Sequence, residues 1–268
     1  MRTKIICCFA LLLSLLGTPP ARGTDLHIRV LDVGEGQSVL LQQNSRAVLI
    51  DTGHAGVAGQ LVARLQKLQV KNLDYLVLTH LHPDHASGLF RVREAWPQAV
   101  VADPCYPVTG STLPDMVRWV DQALQQVPDR RCLAAGDSIN WGEVSLAILW
   151  PLSRPADGAG VNQSSLVLEI RYADKSVLIM GDAGERAEQY LLSRELLRPV
   201  DVLVVGHHGA DDATGAKFLR VIQPKKAIIS TNKENSRGYP SPRVIKRLEA
   251  QGIEVYKTYE SGEIHIVF

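Results

Sequence analysis

Residues 79–85 read Thr79-His80-Leu81-His82-Pro83-Asp84-His85, and they directly follow the apolar run 75–78. Four side chains that can coordinate a metal ion therefore lie within six positions, at the end of a predicted strand. A lone histidine is usually structural, whereas imidazole and carboxylate groups at this density are typical of a metal site. Because side chains of a non-helical loop alternate in direction, we expect His80 and His82 to face one ion and Asp84 and His85 a second.

Two further segments carry groups of the same kinds. Five of the eight histidines lie in the first cluster or in the pair His207-His208, which follows the apolar run 202–205. Asp182 follows the run 177–181, where a buried carboxylate is costly unless it is paired or bound to metal. We expect Asp182 to bridge two ions and one of the paired histidines to complete a site. The alternative for Asp182 is an N-cap of the helix predicted from Glu185.

This donor set indicates the cofactor and a catalytic role. Imidazole and carboxylate ligands suit one or two Zn²⁺ ions, with Mn²⁺ also compatible. An open coordination position leaves room for a water molecule, whose pKa a divalent ion can lower to about 7. Asp84 is the residue we expect to orient or deprotonate that water. The sequence thus predicts a metal-dependent hydrolase.

Short apolar runs alternate with helical patterns along the whole chain. Runs that are apolar at nearly every position, such as 202–205, indicate sheets covered on both faces. Two packed sheets with helices outside meet that requirement, so we predict a layered α/β sandwich. The predicted strands are 26–32, 38–42, 47–51, 75–79, 144–150, 165–170, 176–180, 202–205, 227–230, 254–256 and 264–267. The predicted helices are 57–68, 88–95, 114–126, 185–196, 213–221 and 242–251.

The N-terminus has the layout of a signal peptide. Two basic residues within the first four precede an apolar run of twelve, which is short of the roughly 20 residues of a membrane span. Residues 17–23 end in a small-residue pattern suited to cleavage, so we expect residues 1–23 to be removed and Thr24 to begin one domain over 24–268. We therefore predict a periplasmic or secreted protein without a membrane span after cleavage. A retained N-terminal anchor is the alternative.

Export changes the interpretation of cysteine and charge. Only Cys105 and Cys132 remain after cleavage, and an oxidising compartment permits a disulfide between them, although two separate thiols are the alternative. Removing Arg2, Lys4 and Arg22 leaves 26 basic against 28 acidic residues, which gives no general argument for nucleic acid. Ten lysines and arginines nevertheless fall within 217–257, against three glutamates. That quarter would attract an anionic substrate unless acids from elsewhere neutralise it.

Further segments complete a family pattern. They are Leu31-Asp-Val-Gly-Glu-Gly-Gln-Ser38, Leu49-Ile-Asp-Thr-Gly53, Asn162-Gln-Ser-Ser-Leu-Val-Leu168, Leu178-Ile-Met-Gly-Asp182 and Val205-Gly-His-His-Gly209. With the 80–85 cluster, they resemble the metallo-β-lactamase superfamily and, within it, the extracytoplasmic hydrolase domain of ComEC-type DNA-uptake proteins. The resemblance implies a four-layer αββα fold, one or two divalent metals and hydrolysis of phosphodiesters in DNA. It also implies that Lys233, Asn235 and Arg237 lie at the rim and bind phosphate.

Three departures from that pattern qualify the resemblance. No histidine lies between His85 and His207, which argues against β-lactamase and glyoxalase-II-like activity. Gln37 stands where the ComEC-like branch has an aspartate, and Tyr239 stands where it commonly has a histidine. If that histidine is a ligand in relatives, the second metal site here is weaker or is filled by Tyr239.

Three functions fit these residues. The first is an exported phosphodiesterase or nuclease acting on DNA or another anionic polymer. The second is a metallo-hydrolase of another ester, such as a choline-phosphate or lactone. The third is a non-catalytic accessory of DNA uptake that keeps the fold and the basic face. The complete ligand set favours the first over the third.

Overall fold

The computed structural model describes residues 24–106, 115–152 and 160–268. The predicted signal peptide, residues 1–23, lies outside the described residues. None of the helices in the described ranges is both long and apolar enough to cross a membrane. The structure joins Cys105 and Cys132 in a disulfide, with their Cα atoms 5.2 Å apart.

The first sheet is built mainly from the N-terminal half of the chain. It contains seven strands among the described residues, and the C-terminal strand closes one edge by pairing antiparallel with the first strand. In spatial order the strands are β14 (Ile264–Val267), β1 (His27–Val30), β2 (Val39–Gln43), β3 (Arg46–Ile50), β4 (Asn72–Val77), β5 (Val100–Asp103) and β6 (Arg131–Cys132). The strands from β3 to β6 run parallel, so their carboxyl ends share one edge.

The second sheet comes from the C-terminal half and also has seven strands within the described ranges. In spatial order they are β13 (Glu254–Lys257), β12 (Lys226–Ile229), β11 (Val202–Val204), β10 (Lys175–Ile179), β9 (Val167–Tyr172), β8 (Val144–Trp150) and β7 (Ser138–Trp141). The strands from β10 to β13 run parallel. Their carboxyl ends again meet at one edge.

Helices cover the outer face of each sheet. The first sheet carries α1 (Ala58–Lys67), α3 (Leu89–Ala95) and α4 (Asp115–Gln125), and the second carries α5 (Glu185–Ser193), α6 (Ala216–Ile222) and α7 (Pro242–Glu249). Two single-turn helices, α2 (Pro83–Ala86) and α8 (Thr258–Ser261), lie beside strand ends. The order of layers is therefore helix, sheet, sheet, helix.

Alternation along the strands divides the core into three layers. Val48 and Ile50 of β3 pack between the sheets, whereas Leu49 faces the helices. In β11, Val202 and Val204 pack between the sheets and Leu203 faces the helices on the other side. Each strand is thus buried on both faces, as its uninterrupted apolar run predicts. The predicted αββα sandwich is confirmed.

Candidate metal centre

Three of the candidate ligands lie at the carboxyl edge of the first sheet. His80 follows β4, and Asp84 and His85 lie in the single turn α2, whose first residue is Pro83. His80 and His85 are fully buried, and Asp84 is 8% exposed. Residues 83–86 form a helical turn and not the extended loop that we expected, because proline at the first helical position favours a helical turn there. As a result His85 joins both groups of donors described below.

The second sheet supplies Asp182 and His208. Asp182 lies three residues after Ile179, the last residue of β10, and it is 2% exposed. Its alternative as an N-cap is wrong, because Gly184 occupies the N-cap of α5. His208 follows β11 in a short turn where both histidines have a positive φ, 49° for His207 and 54° for His208. Non-glycine residues adopt this conformation rarely, and it is frequent at functional sites.

The five side chains converge on one point between the two sheets. His85 Nε2 lies 3.1 Å from Asp182 Oδ1 and 3.2 Å from His208 Nε2. His80 Nε2 lies 3.5 Å from Asp182 Oδ2. On the opposite side, His208 Nε2 is 3.4 Å from Asp84 Oδ2. Two groups of three donors result, namely His80, His85 and Asp182, and Asp84, His85 and His208, with the donor atoms of each group within 4.8 Å of one another.

Several donor atoms are buried without a hydrogen-bond partner, and this shows whether a cation would fit among them. His80 Nε2, Asp84 Oδ2 and both carboxylate oxygens of Asp182 are buried without a hydrogen bond in the described part of the chain. An ionised carboxylate in that state is strongly destabilising unless a cation compensates it. Nitrogen and oxygen donors of this kind are ligands of Zn²⁺ and Mn²⁺. The residues therefore fit one or two divalent ions.

A network of buried hydrogen bonds orients the donor atoms. Asp51, which directly follows β3, accepts a 2.8 Å hydrogen bond from His85 Nδ1. It also accepts hydrogen bonds from Gln37 Nε2 at 2.8 Å and from the Thr79 amide at 2.7 Å. His208 Nδ1 donates to the carbonyl of Ser230 at 2.8 Å. Both histidines consequently direct Nε2 toward the centre, as carboxylate and carbonyl partners do for metal-bound histidines.

Residues 162–165 lie in the part of the chain between His85 and His207 that contains no histidine. They supply hydrogen-bond partners to the candidate ligands. Ser165 Oγ pairs with His80 Nδ1 at 3.0 Å and accepts a 2.8 Å hydrogen bond from the Asp182 amide. Asn162 Nδ2 donates to His207 Nε2 at 3.1 Å. Asp51 and Ser165 are the functional residues that the sequence-based list omits, although Asp51, like Asp182, follows a buried strand.

His82 and His207 lie at the edge of the centre, outside both donor groups found among the described residues. The ring of His82 is 4.9 Å from that of His80, and His207 Nδ1 lies 3.2 Å from Asp212 Oδ1. Together with Asp182 and Trp150, the two histidines line a cavity of about 430 Å³ that opens beside the centre. The ligand assignment of these two histidines remains a prediction. Of the pair after β11, the donor groups contain His208.

The three expected phosphate-binding residues occupy different surroundings. Arg237 is at the mouth of the centre, with Nη1 3.7 Å from Asp84 Oδ2 and Nε 3.6 Å from Glu35. The side chain of Asn235 instead stabilises its own loop. It donates hydrogen bonds to the carbonyls of Asn232 and Tyr239 and accepts one from the Tyr239 amide. Lys233 lies beyond Tyr239, in a separate groove.

Tyr239 and Gln37, the two departures from the family pattern, are both close to the centre. The ring of Tyr239 is 5.5 Å from that of His207 and 6.5 Å from that of His208. Gln37 is buried against Asp51 and donates its backbone amide to the carbonyl of Asp84. Tyr239 thus forms a wall of the centre, and Gln37 supports the ligands indirectly.

Burial and mutual charge shift the pKa values of the metal-free side chains. Burial alone would lower the pKa of His85, but the carboxylates of Asp182 and Asp51 outweigh it and raise that pKa well above its ordinary value. Burial lowers the pKa of His82 to about 4, and His80 adds to the effect. Burial opposes ionisation of Asp182, yet the neighbouring histidines hold its pKa well below the ordinary range. Protonation of His85 and ionisation of Asp182 therefore favour each other in this centre.

Comparison with known proteins agrees with this geometry. Residues 31–231 match the family model described as the metallo-beta-lactamase superfamily. The chain is 30% identical to ComE operon protein 3 of Bacillus subtilis (strain 168), over 98% of this chain and 35% of the relative. It is also 30% identical to competence protein ComA of Neisseria gonorrhoeae, over 88% of this chain and 31% of the relative. The chain thus spans about a third of the length of these curated relatives.

A solved structure shows the same fold. The metallo-beta-lactamase fold protein YhfI from Bacillus subtilis superposes with a TM-score of 0.61 at 12% identity, over 92% of this chain and all of that one. At this identity the likeness concerns the fold alone. The resemblance to the superfamily and to ComEC-type competence proteins is confirmed by the family model and the relatives.

Proposed function

This chain belongs to the metallo-beta-lactamase superfamily, and on that premise we propose that it is an exported, metal-dependent phosphodiesterase that cleaves DNA. Members of the superfamily are generally metal-dependent hydrolases. We propose Zn²⁺ as the resident ion, one or two per chain, with Mn²⁺ as the alternative. The anionic substrate, the export and the identity of the metal are parts of this proposal.

The observation that carries the proposal is the pair of donor groups that share His85. His80, His85 and Asp182 form one group, and Asp84, His85 and His208 form the other. Asp182 Oδ1 also lies 3.5 Å from His208 Nε2, so this carboxylate faces both groups. Adjacent sites around a shared carboxylate are typical of enzymes that hydrolyse phosphate esters with two metal ions.

Each residue of the centre has a role that its contacts support. When bound, divalent ions in such a site lower the pKa of water and offset the negative charge of a phosphate. His80, Asp84, His85, Asp182 and His208 would hold them, and Asp51 and Ser165 keep the imidazoles oriented. The pKa of Asp84 lies below its ordinary value, despite burial, because His208 and His85 are close. Its ionised carboxylate can therefore accept a hydrogen bond from the attacking water.

Arg237 supplies positive charge where a phosphate would enter. Its guanidinium is half exposed and lies at the mouth of the centre, beside the carboxylates of Asp84 and Glu35. A guanidinium can bind two phosphate oxygens at once, which favours a phosphodiester over an uncharged ester or a lactone. The relation to ComE operon protein 3 and to a competence protein supports DNA as that phosphodiester.

The proposal is tested on protein purified from a periplasmic extract. Intact mass should correspond to a chain that begins at Thr24. Metal content is then measured together with hydrolysis of single-stranded DNA and of bis(p-nitrophenyl) phosphate. The variant Asp84→Ala with His85→Ala should lose metal and at least about 10²-fold in rate, because it removes donors from both groups. His27→Ala with Asp174→Ala, a pair of the same residue types located at the start of β1 and in the exposed turn before β10, serves as the control.

The possible outcomes separate the alternatives. Activity on the small ester without activity on DNA would move the substrate away from nucleic acid. Stoichiometric metal without hydrolysis of either compound would favour another ester or a non-catalytic accessory. Absence of bound metal in the purified protein would refute the proposed chemistry altogether.

A further inference from the structure

A second groove lies on the far side of Tyr239 from the metal centre. It has a volume of about 480 Å³ and is open to solvent. Three separate segments form it, namely the loop before α7, α7 itself and the residues around α8. Its walls carry three lysines and two tyrosines, which are Lys233, Lys246, Lys257, Tyr239 and Tyr259. This grouping of lysines and tyrosines cannot be recognised in the sequence, because 26 positions separate Lys233 from Tyr259.

The groove and the metal centre share one wall. Tyr239 lines the groove, and its ring also lies within 6.5 Å of the rings of His207 and His208. The backbone of Tyr239 is fixed on both sides by the amide group of Asn235. A strand whose phosphate lies at the centre can therefore continue past this ring into the groove.

Ion pairs neutralise part of the positive charge of this region but leave two of the three groove lysines unpaired. Arg243 and Arg247 pair with Asp211, and Lys225 pairs with Asp201. The ammonium groups of Lys233 and Lys246, by contrast, form no ion pair or hydrogen bond with any residue in the described ranges. One acidic residue, Glu249, also lines the groove. The basic charge of the C-terminal quarter is thus partly neutralised, and two unpaired ammonium groups face the groove.

A groove with lysines beside accessible aromatic rings can bind a single-stranded polynucleotide. Ammonium groups neutralise the phosphates, and unpaired bases stack on aromatic rings whatever their sequence. Lys257, which is paired with Glu260, has its ammonium 5.8 Å from the centre of the Tyr259 ring. Both tyrosines are half-buried, so part of each ring remains accessible.

On the basis of the proposed function, we propose that this groove binds the substrate as a single-stranded polynucleotide, with phosphates at Lys233 and Lys246 and a base against Tyr259. Duplex DNA does not meet these requirements, because its bases are already stacked and paired. The groove makes binding depend on substrate length, since a strand must extend from the centre past Tyr239 to reach it.

The test measures binding without hydrolysis. Fluorescence anisotropy of labelled, phosphorothioate-linked oligothymidylates of 2, 6 and 15 nucleotides is recorded with the metal-loaded full chain at several salt concentrations. Wild-type affinity should rise with length. Lys233→Glu with Lys246→Glu should lose at least about tenfold in affinity for the longest strand and most of the length dependence, and its salt slope should fall by roughly 1.4, the value for two single-strand phosphates. Tyr259→Ala should lose roughly tenfold.

The control is Lys217→Glu with Arg220→Glu. These exposed residues of α6 belong to the same basic quarter, and the charge change is identical. We expect this variant to lose no more than about twofold, since it leaves the groove intact. Equal losses in both double variants, unchanged binding in the groove variant, or equal binding of duplex DNA would each overturn the proposal. If the groove variants lose affinity but the wild-type protein hydrolyses no DNA, the proposed groove is supported and the proposed function is refuted.

Discussion

Asp51 is the residue on which the orientation of His85 depends. Its buried carboxylate accepts hydrogen bonds from three neighbours, including His85 Nδ1 at 2.8 Å. We expect Asp51→Asn to weaken metal binding about 10- to 100-fold, because the amide is uncharged and cannot accept from all these donors. Competition with a chromophoric chelator measures the affinity. Asp174→Asn, in the exposed turn between β9 and β10, provides the matched control, and equal affinities of the two variants would contradict the prediction.

The sequence identifies the ligands more readily than the residues that orient them. His80, Asp84 and His85 are recognisable because they are dense in sequence and of metal-binding types. Ser165 acts on His80 across 85 positions, so no local pattern shows its role. Asn235 is the opposite case, since its type suits phosphate binding but its amide is used by its own loop.

At the scale of elements, strands that continue an apolar run are predictable and short edge strands are not. The run 202–205 marks β11 because both faces are buried. Three observed strands are absent from the predicted set, namely β5, an interior strand whose apolar run 99–102 is not recognised, and the edge strands β6 and β7. Strand β6 has two exposed residues, and β7 alternates between exposed polar and buried apolar positions over four residues. Such strands are formed by their neighbours in the sheet, which a single sequence does not reveal.

The disulfide fastens one of these weak elements. It links Cys132 of β6 to Cys105, just after β5, across 27 positions. Constraining a loop of that length in the unfolded chain corresponds to about 3.5 kcal/mol. We expect Cys105→Ser with Cys132→Ser to lower the free energy of unfolding by up to that amount in urea titrations. Reduced wild-type protein should behave like the variant, and a variant as stable as the oxidised protein would contradict the prediction.

At the scale of the whole molecule, the metal centre lies between the two sheets. His80, Asp84 and His85 belong to the first, and Asp182 and His208 to the second. Metal binding should therefore stabilise the complete fold. At a free Zn²⁺ concentration of about 100 times the dissociation constant, we expect the melting temperature to rise by about 5 to 10 °C.

This stabilisation should also depend on pH. The pKa of His85 in the metal-free protein is raised, chiefly by Asp182 and Asp51 against the opposing effect of burial, so a proton must leave before the imidazole can bind metal. The gain in melting temperature should consequently shrink as pH falls from 8 to 6. Calorimetric melting with and without a chelator measures it. A gain that is constant over this range would show that no proton is displaced.

The division of ligands between the sheets has a consequence for biosynthesis. The first half of the centre is complete by His85, whereas the second half ends at His208. A chain that emerges from the ribosome in order therefore passes more than a hundred residues with only a partial metal site. Under the proposed function, hydrolysis requires both halves of the centre to have docked, so an unfinished or truncated polypeptide should not attack the nucleic acids around it.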